Sequence, residues 1–214
     1  MQLYSFFNSS TSYRVRIALA LKGLAYDYRG VNLRSGEQRS AEHRELSPVG
    51  GVPVLVDDDG VQLTQSLAII DYLDARHPEP RLIPQDALLR ARVLEVANLI
   101  ACDIHPINNL RVLGYLQKEL GVSAELKDAW YRHWVAEGLA AVEELLRRHG
   151  GEGPYCFGAE PTLADCCLVP QVGNAVRMGC DVARFERVMA VYRHCLEQAA
   201  FQQAAPAQQP DFIA

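Results

Sequence analysis

The segment NSSTSYRVRIALALKGL, residues 8–24, constrains this chain more than any other. A short apolar run, Leu3 to Phe7, leads into the hydroxyl residues Ser9, Ser10, Thr11 and Ser12. These are followed by Val15, Ile17, Ala18 and Leu21 at helical spacing, stopped by Gly23. Strand, hydroxyl loop, helix is the pattern. The first N–H groups of a helix have no partner inside it, and the aligned peptide dipoles place partial positive charge there, so such a junction stabilises an anion. A phosphate and a thiolate both meet that requirement.

The rest of the chain divides into two kinds of pattern. Up to residue 80, strand and helix signals alternate. Tyr26–Val31 is rich in β-formers, and Val54–Val56 and Val61–Leu63 flank the turn Asp57-Asp58-Asp59-Gly60, which reads as a hairpin. Leu67, Ile69, Ile70 and Leu73 then give an amphipathic helix ending near His77. The order β-α-β-α-β-β-α describes a small α/β domain over residues 1–80. The proline-rich stretch Pro78 to Pro84 reads as a linker. Beyond it, helical periodicity over 86–120, 123–149, 162–178 and 184–199 describes an all-helical domain, residues 86–214, with an irregular surface tail from Ala204.

Composition excludes several classes. The net charge of −5 offers no basic face for nucleic acid. The apolar runs fall far short of the roughly 18 residues of a membrane span, and MQLYSFF has no leader pattern, so a cytoplasmic protein without membrane or nucleic-acid partners is expected. The cysteines, at 102, 156, 166, 167, 180 and 195, include no C-x-x-C pair and read as reduced, buried small apolar residues. Asp103-x-His105 is not metal-ligand spacing on a helix, and no metal site is expected.

Three motifs carry a resemblance over residues 2 to 212. Ser9-Ser-Thr-Ser-Tyr-Arg-Val-Arg-Ile-Ala-Leu resembles the S-S-C-S-x-R-V-R-I-A-L signature of the zeta-class glutathione transferases, with Thr11 in place of cysteine. Gln65-Ser-Leu-Ala-Ile-Ile-Asp-Tyr-Leu is similar to the Q-S-x-A-I-I-x-Y-L run with which that family grips glutathione. Cys102-Asp-Ile-His-Pro is similar to the C-D-I-H-P segment of its bacterial isomerases. The resemblance implies the glutathione transferase fold: an α/β thioredoxin-like N-terminal domain followed by an all-α C-terminal domain. It also implies glutathione as cofactor, a homodimer (Leu88, Leu89, Val93 and Val96 being candidate interface residues), and cis–trans isomerisation of a maleyl compound. Maleylacetoacetate is the expected substrate. Maleylpyruvate, a broader transferase or dehalogenase activity, and a non-enzymatic binding role are the alternatives.

Roles follow by the same resemblance. Ser9 is expected to hold the glutathione sulfur, with Ser10 beside it as the second candidate; from the residues alone, both equally suit capping of the helix. Val52, before Pro53 in a cis-proline turn, is expected to present its backbone to the cysteinyl part. Gln65 and Ser66 are expected to grip the γ-glutamyl carboxylate at a helix start. His105 and Asn109, four apart on one helix face, are expected at the glycine end. The substrate is a small anionic dicarboxylate, for which Arg177 and, more weakly, Arg111 are the candidate cations, with Asn8 and Thr11 lining its site. Arg14 and Arg16 read as solvated or ion-paired. Two positions depart from the pattern. Asn8 stands where many zeta-class sequences carry arginine, and Val49 and Gly51 replace polar residues before Val52-Pro53. Thr162-Leu-Ala-Asp165 is a reciprocal helix cap and is left out of the site.

Overall fold

A computed structural model describes residues 1–213. The chain forms two compact units, Met1–Leu82 together with the segment from Leu196 onward, and Ile83–Cys195.

The first unit is built on a four-stranded mixed sheet. In order, its elements are β1 (Gln2–Ser5), α1 (Ser10–Leu21), β2 (Asp27–Gly30), α2 (Ala41–Leu46), β3 (Val54–Val56), β4 (Gln62–Thr64) and α3 (Ser66–Arg76). The strands lie in the order β2-β1-β3-β4. β1 runs parallel to β2, as a connection through a helix requires, and β3 and β4 pair antiparallel through the expected hairpin. Gly60 adopts φ 78° at that turn, a conformation that costs glycine nothing. The core under the sheet contains Leu3, Val15, Ile17, Leu19, Leu55, Ile69, Ile70 and Leu73, each fully buried.

Two expectations are corrected in this unit. Arg14 and Arg16 are not solvated: they are 1% and 0% exposed. Helix α1 packs against both α3 and α9 (Ala199–Ala204), and residues 12–19 of it are all buried. The Arg16 guanidinium is satisfied by backbone. Nε donates to Ala204 O at 2.9 Å, Nη2 to Phe7 O at 3.0 Å, and Nη1 to Phe6 O at 3.3 Å and Ser5 Oγ at 3.0 Å. The second correction concerns the tail. Residues after Leu196, expected in the helical domain, belong to the α/β unit, because α9 covers α1 and the following segment reaches β2. The proline stretch is likewise fastened: the buried Lys22 ammonium donates to Asp74 Oδ1 at 2.8 Å and to the carbonyls of His77 and Pro80, each at 2.7 Å.

The second unit is helical: α4 (Ala87–Asn98), α5 (Leu110–Lys118), α6 (Ala124–His149), α7 (Leu163–Arg177) and α8 (Glu186–Leu196, its last residue falling at the unit boundary). The single helix expected over 86–120 is interrupted by a π-helical turn, Leu99–Ile104, and a 3₁₀ turn, Pro106–Asn108. Proline removes the N–H that would continue the ladder, so the break falls at His105-Pro106. Val93 and Val96, candidate interface residues, are fully buried, whereas Leu88 and Leu89 are exposed. The Thr162 cap is present. The buried Asp165 carboxylate accepts from the Thr162 N–H at 2.8 Å, the Thr162 hydroxyl at 2.9 Å and the Cys156 N–H at 2.8 Å. All six cysteines are free; Cys156, Cys166, Cys167 and Cys195 are buried, but Cys102 is exposed and Cys180 half-buried.

Candidate functional site

The hydroxyl loop does local work first. Ser9 is the N-cap of α1: its extended backbone (φ −79°, ψ 117°) turns the side chain so that Oγ accepts the Ser12 N–H at 3.2 Å. Ser9 Oγ also lies 2.9 Å from Thr11 Oγ1, and Thr11 donates to the Val52 carbonyl at 2.9 Å. A threonine hydroxyl has one proton, and a carbonyl can only accept, so Ser9 is the donor to Thr11. The Thr11 hydroxyl is thereby directed at the Val52 carbonyl. Ser10 is buried in the first turn of α1, and Asn8 occupies the turn between β1 and α1.

Thr11, Val52, Gln65 and Ser66 come together. With Ser47, Val49, Gly51, Pro53 and Thr64 they line a cavity of about 50 Å³ at the start of α3. The Val52–Pro53 peptide is cis. The turn before it is braced by groups that the sequence reading passed over. A ring nitrogen of the buried His43 lies 2.9 Å from Gly51 O, and the Gly51 N–H donates to Ser47 Oγ at 3.2 Å. Gln65 adopts φ 69°, ψ 112°; among the described residues no other non-glycine has positive φ. Such a conformation costs on the order of 1–3 kcal/mol and persists where surroundings impose it, which is characteristic of ligand clamps. Gln65 and Ser66, at the start of α3 where the first N–H groups lack partners within the helix, both line the cavity. Behind Ser66, which is 5% exposed, Arg14 Nη1 donates to Ser66 Oγ at 3.3 Å. Ser66 Oγ accepts there, so its own proton can be offered elsewhere. A buried guanidinium behind Ser66 and the first turns of α1 and α3 place positive charge at this end of the unit, an arrangement that suits an anion. Nothing in the residue types of Arg14 betrays this; the signal was its place among the apolar residues of α1.

Four further candidates lie in the helical unit. His105 ends the π-helical turn, and Asn109 is the N-cap of α5, where its Oδ1 accepts from the N–H groups of Arg111 at 3.0 Å and Val112 at 3.2 Å. The two are therefore not on one face of one helix, as expected, because the 3₁₀ turn separates them. Arg111 is exposed in the first turn of α5, and Arg177 is exposed at the end of α7. Arg177 acts electrostatically on Tyr131, whose hydroxyl burial pushes up to about 12, the nearby cation opposing that rise. No cluster of histidine, cysteine and acidic side chains suited to a metal ion occurs among the described residues, and no described helix is long and apolar enough to cross a membrane.

Comparison with known proteins agrees with this geometry. Residues 3–81 match the family model of the glutathione S-transferase N-terminal domain, and 128–197 that of the C-terminal domain. A probable maleylacetoacetate isomerase of Vibrio cholerae is 49% identical over 98% of this chain and 97% of its own. The holo structure of a maleylpyruvate isomerase, described as a bacterial zeta-class glutathione S-transferase, superposes with TM-score 0.96 at 45% identity over 100% of both chains. The maleylacetoacetate isomerase of Anaeromyxobacter dehalogenans, with dicarboxyethyl glutathione and citrate bound in its active site, superposes with TM-score 0.87 at 40% identity, covering 99% of this chain and 93% of that one.

Proposed function

The chain belongs to the glutathione S-transferase family, in its zeta class, and on that premise we propose that it catalyses glutathione-dependent cis–trans isomerisation of a maleyl compound. Maleylacetoacetate, giving fumarylacetoacetate, is the main reading and maleylpyruvate the alternative. The observation that carries it is Ser9 at the N-cap of α1, with its hydroxyl beside Thr11 on the wall of the cavity at Val52, Gln65 and Ser66.

These residues suit glutathione. Gln65 and Ser66, at the first turn of α3 with Arg14 behind them, would hold the γ-glutamyl carboxylate; Val52 would offer its backbone to the cysteinyl part. Asn109 spends its Oδ1 on the α5 cap, so its amide N–H groups are the part suited to a carboxylate, alongside His105, at the glycine end. When bound, the thiol supplies a nucleophile that adds reversibly to a double bond conjugated with carbonyls, which permits rotation about it. Ser9 would turn its proton from Thr11 to the sulfur, with Ser10 as the neighbouring alternative. That donor and the positive end of α1 favour the thiolate over a thiol of ordinary pKa near 8.5. Arg177 would be the catalytic cation for the substrate's carboxylate and carbonyl oxygens, with Arg111, Asn8 and Thr11 as weaker substrate contacts. The dicarboxyethyl glutathione and citrate bound by the A. dehalogenans protein support a dicarboxylate substrate. A cytoplasmic homodimer using the exposed Leu88 and Leu89 completes the reading.

The test is spectrophotometric loss of each maleyl compound with and without glutathione. Glutathione-dependent turnover of maleylacetoacetate in preference to maleylpyruvate supports the main reading, and the opposite preference selects the alternative. Inertness toward both, by protein that binds glutathione, sinks the isomerase reading.

A further inference from the structure

The loop that carries Ser9 is held from the far end of the sequence. After α9 a 3₁₀ turn, Pro206–Gln208, is braced by Gln209, whose Nε2 donates to Gln203 O at 3.1 Å and Ala205 O at 2.9 Å. This delivers Asp211 to the start of α1. Its Oδ2 accepts the Phe7 N–H at 3.1 Å, and its Oδ1 accepts the Tyr28 hydroxyl at 2.6 Å, tying the loop to edge strand β2. The Phe212 ring stands edge-on to Phe7, centroids 5.4 Å apart, and the Arg34 guanidinium sits 5.2 Å from the Phe7 centroid. On the inner side Arg16 holds the carbonyls of Phe6 and Phe7, and Phe6 O also accepts the Ser9 N–H at 2.9 Å. The backbone two residues before Ser9 is thus clamped from both sides, and the outer clamp is a single carboxylate.

We propose that Asp211 is a positioning residue for Ser9: through the Phe7 N–H, the strap of residues 205–213 sets where the Ser9 hydroxyl stands at the mouth of α1. The inference rests on the reading of Ser9 as the partner of the cofactor thiol. An oxygen at hydrogen-bond range from a sulfur loses much of its effect if it moves by half an ångström or turns away, and the loop has no regular ladder to keep it in place. Blocking the β2 edge alone would need a strap there but not a carboxylate aimed at Phe7.

The experiment uses the full chain with Asp211→Ala, Asp211→Asn and Tyr28→Phe. Amide hydrogen exchange across residues 6–9, read without ligand, and the thiolate absorbance of added glutathione against pH are measured for each. Asp211→Ala is expected to speed exchange at Phe7, to raise the apparent pKa of the bound thiol and to weaken glutathione binding about threefold or more, as loss of a charge-assisted hydrogen bond predicts. Asp211→Asn should restore both readouts, because its amide can accept from Phe7 and donate to the Tyr28 oxygen. Tyr28→Phe should give a smaller shift in the same direction, and it decides the matter if Asp211→Ala does not fold. Unchanged exchange and thiol titration in the folded Ala variant, or in Tyr28→Phe where that must stand in, overturns the proposal. So does an Asn variant as impaired as Ala. A wild type that shows no thiolate band with glutathione overturns the reading of Ser9, whereas Phe7 exchange tests the strap by itself.

Discussion

Ser9 donates its proton to Thr11, 2.9 Å away, because Thr11 has committed its own to the Val52 carbonyl. The Ser9 hydroxyl is therefore engaged within the loop, at 9% relative exposure, and on the proposed reading it would turn from Thr11 to the cofactor sulfur. A donor already desolvated and oriented costs little to redirect.

Ser9→Ala is expected to lower glutathione-dependent kcat/KM at least tenfold, about 1.4 kcal/mol of transition-state stabilisation. It should also lose the α1 cap, worth about 1 kcal/mol of stability. Ser9→Thr keeps hydroxyl and cap. Activity and thermal unfolding measured on both variants separate the two roles: a purely capping serine would leave kcat/KM within about threefold of wild type in the folded Ala variant.

Arg16→Lys should be far from conservative. The guanidinium serves Ala204, Ser5, Phe6 and Phe7 in three directions, which one ammonium cannot reproduce. A loss on the order of 3 kcal/mol follows from two charge-assisted bonds left unmade in a buried setting. Denaturant unfolding checks it, and a variant as stable as wild type would show that the network is dispensable.

In the helical unit, Gly138→Ala sets propensity against packing. Alanine would stabilise the middle of α6 by about 1 kcal/mol on propensity alone. An added Cβ there would lie 2.3 Å from Ile104 Cγ1 and 2.5 Å from Cδ1, and Ile104 is 1% exposed at the end of the π-helical turn. We expect net destabilisation of about 1–3 kcal/mol, measured by thermal unfolding. A rise in melting temperature would contradict this.

Acid sensitivity should trace in part to Asp57. The Tyr72 hydroxyl donates to Asp57 Oδ2 at 2.6 Å and, with the Asp58 N–H and Arg76, holds the carboxyl below its ordinary value against the opposing effect of burial. A folded pKa lower than the unfolded one adds stability above the unfolded value near 3.8, and that addition is lost as pH falls through the lower folded value. Tyr72→Phe removes the largest cause. The variant should be less stable than wild type at neutral pH, with the gap closing below about pH 4. A gap independent of pH would exclude the mechanism.

Much of this protein is legible along the chain because the physics involved is local. Capping of α1 by Ser9 depends on residues three apart. The hairpin at Asp57–Gly60 depends on four, and the Thr162–Asp165 cap on a spacing that any helix start obeys. The break at His105-Pro106 follows from a missing N–H, although its consequence, Asn109 becoming the cap of a new helix, needed the actual dihedrals. Family resemblance points the hydroxyls of the Ser9 loop and the Gln65–Ser66 helix start to one ligand, and in the first unit Thr11, Val52, Gln65 and Ser66 line one cavity.

What the amino-acid order alone determined, then, is the set of elements, their caps and the positive helix ends where an anion is stabilised. The partners of the buried charges were decided only by tertiary structure. Arg16 is answered by Ala204, 188 residues away, and Phe7 by Asp211, 204 residues away. An arginine on a helix reads as solvated until a second helix covers the same face, since whether a charge is buried depends on what packs on it and not on its neighbours in the chain. Local hydrogen-bonding chemistry repeats wherever its short motif occurs, whereas long-range pairing exists only once the chain has closed on itself.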